Sequence, residues 1–185
     1  MHLRAGFLAI LGVFGLVCTS ERAFAAPQTS AGVTIGGAVT DVRTKGRGAF
    51  HLGARADLLF LRERENDMAI GPYVDVATER LDTLEVGGGA EWLIPLVPSF
   101  PLVASAGVFE RRAPTFGWEP GLAANVFVGP RSYNFHSNYG MANGLFVQGR
   151  YGLGDGKQAD LIFGLQVDFA ILALPFLLAY QGVVH

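Results

Sequence analysis

The chain has 185 residues, 14 Lys and Arg against 16 Asp and Glu, and a formal net charge of −2. The length suits a single domain. A slightly negative chain whose few basic residues are scattered is not typical of nucleic-acid-binding proteins, so that class is excluded from the expected functions.

The first 25 residues are predicted to be a cleaved secretory signal peptide. A short basic start precedes an almost wholly apolar run over residues 5–17, and Ala23-Phe24-Ala25 fits a small-x-small cleavage site. A retained anchor is the weaker alternative, because such a run is too short to span a bilayer as a helix. Cys18 follows Leu16-Val17 and lacks the small residue that precedes a lipoprotein cysteine. Since Cys18 is the only cysteine, the mature chain has neither disulfides nor thiolate metal sites.

The rest of the chain contains about eight candidate strands in which apolar and polar residues alternate. The pattern is weakest at the first candidate and clearest at the second. In chain order they cover residues 33–42, 49–61, 68–78, 84–94, 102–110, 118–128, 145–153 and 161–169. The charged run 62–67 between the second and third is predicted to be a solvated turn.

Three segments do not fit this alternation. In residues 102–110, Val103 and Phe109 lie on the face that should be polar. Residues 111–117 are predicted to be a loop, and residues 130–141 are aromatic and polar without a period.

Each candidate strand has one apolar face and one face with charged or polar side chains. In a membrane barrel the apolar faces contact lipid and the polar faces line the lumen, whereas a soluble sandwich or lipocalin-like barrel buries the apolar faces. Because charged groups are costly in lipid, we expect a lumen-facing polar network. Its members are His51, Arg55, Asp57, Asp75, Glu85, Glu91, Glu119, Gln148, Arg150, Gln166 and Asp168.

The predicted signal peptide, the absence of cysteine from the mature chain and the alternating strand faces favour the membrane barrel. Trp92, Trp118 and Tyr151 lie on the apolar faces near strand ends, as an interfacial aromatic girdle would. Over residues 31–169 the pattern resembles the small outer-membrane β-barrels of Gram-negative bacteria, the OmpA-like eight-stranded class, although no diagnostic motif is present.

The resemblance implies an all-β, up-and-down antiparallel transmembrane β-barrel of about eight strands in the outer membrane. It implies a monomer with a non-enzymatic role in envelope integrity, adhesion or limited small-molecule passage. The implied partners are membrane lipid, lipopolysaccharide and the outer-membrane assembly machinery, without a cofactor. An open aqueous pore is not expected, since side chains nearly fill an eight-stranded barrel.

One departure from this class concerns the C-terminus. Such barrels end on a strand closed by a terminal aromatic residue, which would be Phe169, yet the chain continues to His185. We expect the last strand to end near Phe169, and residues 170–185 to extend it or form a short interfacial helix. The alternative is a membrane-spanning helix over residues 161–180, which would place Asp168 in hydrocarbon and leave the alternation unused.

No catalytic, metal or cofactor site is predicted, because no two histidines have metal-ligand spacing. His136-Ser137-Asn138 slightly resembles the His-x-Ser-Asn segment of outer-membrane lipid A deacylases, which use a Ser-His-acid triad. Adjacent residues on a strand point to opposite faces, so His136 could not take the Ser137 proton. A lipid hydrolase on the same barrel and a secreted lipocalin-like binding barrel remain as alternatives.

The register of the second and third strands follows from charge pairing. Facing rules allow Arg55 to lie opposite Tyr73, Asp75 or Ala77. We predict the pairing of Arg55 with Asp75, which also sets His51 against Glu79, because opposite charges stabilise a cross-strand pair.

Overall fold

The fold is described from a computed structural model. It describes residues 26–114, 117–132, 138–154 and 156–184. The predicted signal peptide, residues 1–25, lies outside the described residues.

Eight antiparallel strands form a closed barrel in which each strand pairs with its sequence neighbours and β1 pairs with β8. The strands are β1 Gln28–Thr40, β2 Arg47–Leu59, β3 Ala69–Glu79, β4 Leu84–Val97, β5 Phe100–Ala113, β6 Gly117–Val128, β7 Gly144–Gly152 and β8 Ala159–Asp168. Helix α1, Phe169–Val184, follows β8 directly. The predicted all-β, up-and-down antiparallel barrel of eight strands is confirmed as a fold.

The predicted register between β2 and β3 is confirmed. Arg55 pairs with Asp75, His51 with Glu79, and Asp57 with Tyr73. Pro72 causes no register shift in either ladder of β3, whereas β4 and β5 are irregular between Pro95 and Val97.

The two ends of the barrel differ in their connections. At the end that carries α1, called the helix end, the connections are residues 60–68, 98–99 and 129–143. At the opposite end, called the turn end, they are residues 41–46, 80–83, 114–116 and 153–158. The longest connection, 129–143, and the shortest, 98–99, both lie at the helix end.

Residues 138–140, in the long connection 129–143, lie against the edge of β1 at the helix end. β8 reaches β1 only as far as Gly32, so the first residues of β1 have no strand partner on that side. There, Thr29 donates its backbone N–H to Asn138 at 2.6 Å and accepts one from Gly140 at 2.9 Å. The loop therefore satisfies backbone groups that β8 leaves unpaired.

The apolar faces point outward, as predicted. Leu52 and Leu58 lie on the outer face of β2, and Phe163 and Leu165 of β8 are about half exposed, at 52% and 50%. The polar faces point inward, since Arg150 on β7 contacts Asp75 on β3, two strands that are not neighbours.

The interior is also partly apolar, which explains the irregular strand predicted at residues 102–110. Val103 and Phe109 of β5 are buried on the lumen side. Phe109 needs a small neighbour, because a Cβ added to Gly121 would lie 2.2 Å from its ring. The buried apolar residues near the helix end include Leu59, Leu93, Val103, Phe127 and Phe146.

Two sequence predictions about charged segments were wrong. Residues 111–113 are not a loop but the end of β5, and alternation turns Arg111 into the lumen and Arg112 outward. The run 62–67 is not wholly solvated, because Arg62 is buried and donates to the Gln28 side chain at 3.2 Å.

The membrane-spanning helix considered for residues 161–180 is also wrong. Residues 161–168 belong to β8, and the helix begins at Phe169, so the preferred end of the last strand is close to the observed one. In the described part of the chain, no helix combines the length and the apolar character needed to cross a bilayer.

Candidate functional site

The lumen holds every member of the polar network proposed from the sequence. All of these side chains are buried except Asp75, which is half-buried. They come from six strands: β2 (His51, Arg55, Asp57), β3 (Asp75), β4 (Glu85, Glu91), β6 (Glu119), β7 (Gln148, Arg150) and β8 (Gln166, Asp168). The inward faces of nearly the whole sheet thus converge on one charged interior.

One ion-pair group lies in the half of the lumen toward the helix end. Arg55 donates to Glu91 and to the Ser105 hydroxyl, both at 2.9 Å, and its guanidinium lies 3.8 Å from the centre of the Tyr73 ring. Arg131 enters from the 129–143 loop and binds both carboxylate oxygens of Asp57. The start of the loop is therefore held inside the barrel by bidentate, charge-assisted hydrogen bonds.

A second group lies toward the turn end. Arg111 contacts Glu85 and Asp160, and Arg150 contacts Glu85 and, at 3.2 Å, Asp75. These contacts cross the lumen between β3, β4, β5, β7 and β8. Each of these guanidinium groups contacts two carboxylates, and such pairing offsets the free-energy cost of burying the charges.

Among the described residues, carboxylates outnumber arginines in the lumen. The arginines are Arg55, Arg62, Arg111, Arg131 and Arg150. The carboxylates are Asp57, Asp75, Glu79, Glu85, Glu91, Glu119, Asp160 and Asp168.

Three of these carboxylates, Glu79, Glu85 and Asp160, place oxygens within 4.8 Å of one another. Arg111 and Arg150 already contact Glu85 and Asp160. The arrangement is therefore an ion-pair network, and we assign no metal ion to it.

Little space remains inside the barrel. A cavity of about 10 Å³ lies between His51, Arg55, Asn125, Gln148 and Arg150, which is room for about one water molecule. A wider groove of about 300 Å³ runs outside the lumen, along the outward faces of β1, β2 and β3 beside Tyr139. This cavity between the described lumen side chains is far smaller than a ligand pocket.

Several buried charges were not predicted from the sequence to line the lumen: Arg62, Arg111, Arg131 and Asp160. Glu79 was predicted only as the partner of His51 in the strand register. Extending the alternation of residues 102–110 by one step would have placed Arg111 inward. Arg131 precedes a segment without a period, and nothing in the sequence pattern indicates that it enters the lumen.

The phenol of Tyr139 connects the 129–143 loop to the last strand. It donates to the Asp168 carboxylate at 2.7 Å. Burial, and then this hydrogen bond, raise the pKa of Tyr139 to about 12. Asp168 also accepts the backbone N–H of Ala142 at 3.0 Å and of Ala170 at 2.8 Å, so one carboxylate joins the loop, β8 and the start of α1.

His136 and Ser137, which carry the slight similarity to lipid A deacylases, lie outside the described residues. That His136 could not take the Ser137 proton therefore stays a prediction. In comparisons with known proteins, no protein-family model matches the chain and no curated sequence matches it.

Proposed function

We propose that this chain is a membrane-inserted β-barrel of a Gram-negative outer membrane, with a non-enzymatic role in the cell envelope. In this proposal residues 1–25 direct export and are removed. The barrel then functions as a monomer surrounded by membrane lipid and lipopolysaccharide, after insertion by the outer-membrane assembly machinery.

The inverted polarity of the barrel carries this proposal. Large apolar side chains cover the outside on every strand, with exposed fractions of 64% for Leu145 and 59% for Val108. Soluble proteins rarely expose apolar patches larger than a few hundred Å². The inside holds many buried arginines and carboxylates beside its apolar residues, whereas a soluble barrel needs a mainly apolar core.

The closed lumen favours a structural or adhesive role over solute passage. Arg55, Arg111 and Arg150 cross the lumen between strands, and the remaining cavity holds about one water. A lipocalin-like ligand would have no space inside, because pockets for small molecules occupy about 300–1,000 Å³.

Cell fractionation combined with gel mobility before and after heating tests the proposal. We expect the full chain in the outer-membrane fraction, resistant to carbonate extraction, and migrating differently in SDS when unheated because a closed barrel stays folded. Recovery in the soluble periplasmic fraction without detergent would contradict it.

A further inference from the structure

The charges outside the lumen are unequally divided between the two ends. Among the described residues, the turn end carries six exposed cations, called here the basic rim: Arg43, Lys45, Arg47, Arg80, Arg112 and Lys157. In the described part of the helix end, one cation, Arg64, is exposed.

The acidic groups do not offset this difference. Outside the lumen, the turn end carries Asp41, Asp82 and Glu110, and the helix end carries Glu63, Glu65 and Asp67. Asp155, which lies outside the described residues, adds one acid to the turn-end connections in the sequence. The outer surface of the turn end is thus positive, and that of the helix end negative.

Two cations of the rim lie beside outward-facing aromatic residues. Arg112 is on the outer face of β5, opposite Trp118 of β6 and Leu84 of β4. Arg43 donates to the Tyr151 hydroxyl at 3.2 Å and lies 5.9 Å from the centre of that ring. Trp118 and Tyr151 are both exposed on the apolar outer wall.

Aromatic residues with adjacent cations at the edge of an apolar wall match the chemistry of a membrane interface. Tryptophan and tyrosine prefer the depth of the headgroups. A Lys or Arg near an anionic leaflet contributes about 1 kcal/mol of attraction. An arginine fork also suits two phosphate oxygens at once.

We infer that the basic rim binds the phosphate headgroups of anionic lipids in the leaflet that meets the turn end. The inference rests on the proposed membrane insertion and adds a specific lipid class and a location. Its cations come from three connections and from the ends of β2 and β5 around the barrel mouth, a distribution that suits many small headgroups surrounding the wall.

Native mass spectrometry of the full chain in a neutral detergent tests the inference. Phosphatidylglycerol and phosphatidylcholine with identical acyl chains are titrated separately, and inorganic phosphate and a polyglutamate peptide are tested as competitors. Variants are Arg43→Gln, Arg112→Gln and their combination. Arg64→Gln is the matched control, since it removes an exposed arginine at the other end.

We expect the unaltered protein to retain phosphatidylglycerol in preference to phosphatidylcholine. The double variant should bind phosphatidylglycerol about tenfold more weakly, which corresponds to about 1.4 kcal/mol, with Arg64→Gln unchanged. Equal retention of both lipids, or an equal loss in Arg64→Gln, would overturn the inference. Displacement by inorganic phosphate at millimolar concentration would indicate a free-anion site, and displacement by polyglutamate a surface for an acidic protein; either also overturns it.

Two further measurements on each sample distinguish failure of this inference from failure of the proposed function. They are gel mobility before and after heating, and whether the protein stays dispersed without detergent. A protein that stays dispersed without detergent and takes up neither lipid refutes membrane insertion itself. A detergent-dependent, heat-modifiable barrel without lipid preference refutes only the role of the rim.

Discussion

The buried contact between Arg131 and Asp57 shows how single residues stabilise the lumen. The Asp57 carboxylate accepts hydrogen bonds from Nη1 and Nη2 of Arg131 and, at 2.8 Å, from the Ser30 hydroxyl. Burial removes water from both charges, so the pair is stable only while both partners are present.

Replacing Arg131 with methionine should therefore destabilise the barrel by about 3–5 kcal/mol, because Asp57 remains as an uncompensated buried charge. Urea unfolding in detergent micelles, followed by tryptophan fluorescence, measures this loss. The exposed Arg64→Met should stay within about 0.5 kcal/mol of the parent. Adding Asp57→Asn to Arg131→Met should recover much of the loss, and equal stability of single and double variants would refute the pairing.

Interior glycines make room for the large lumen side chains. At Gly121 an added methyl group would meet the Phe109 ring, whereas at Gly149 on the outer wall nothing lies within 4 Å. We expect Gly121→Ala to lower the free energy of unfolding by about 1–3 kcal/mol, and Gly149→Ala to leave it nearly unchanged. The same urea titration compares them, and equal effects would show that Phe109 moves freely.

At the scale of elements, the 129–143 loop is attached through Arg131, its pairing with β1 and the Tyr139 phenol. The raised pKa of Tyr139 means that the fold favours the neutral phenol. Its contribution to stability is therefore fully present below about pH 10 and is lost as the pH rises toward 12.

The stability difference between the parent and Tyr139→Phe tests this contribution. We expect the parent to be more stable by about 0.5–1.5 kcal/mol up to pH 10, and the difference to disappear near pH 12. Unfolding curves at intervals across that range measure it. A difference that does not change with pH would mean that the Asp168 contact contributes nothing.

Helix α1 takes no part in closing the barrel. It contacts mainly β1 and β8, whereas the sheet closes through its own eight ladders. We expect a chain that ends after Ala170 to retain heat-modifiable mobility, because every ladder is complete. A chain that ends after Ile162 should lose it with the second half of β8. Loss of heat-modifiable mobility in the chain that ends after Ala170 would instead assign α1 a role in folding.

For the whole molecule, the eight-stranded barrel was predictable from the alternation of apolar and polar residues, and the register of β2 with β3 from charge pairing. Arg55 and Asp75 could be paired from two sequence segments alone. The contacts of Arg131 and Asp160 could not, because they join strands and loops distant in sequence. Arg111 was missed because Val103 and Phe109 hid the period that places it inside.

Membrane insertion, as proposed above, requires the apolar outer wall of this barrel to face hydrocarbon. The chain has two tryptophans, and both Trp92 and Trp118 are exposed on that wall, near opposite ends. Fluorescence quenching in vesicles of lipids with brominated acyl chains reports directly on the surroundings of both residues. We expect strong quenching by the brominated lipids and little by aqueous iodide, whereas strong quenching by iodide without an effect of the brominated lipids would refute membrane insertion.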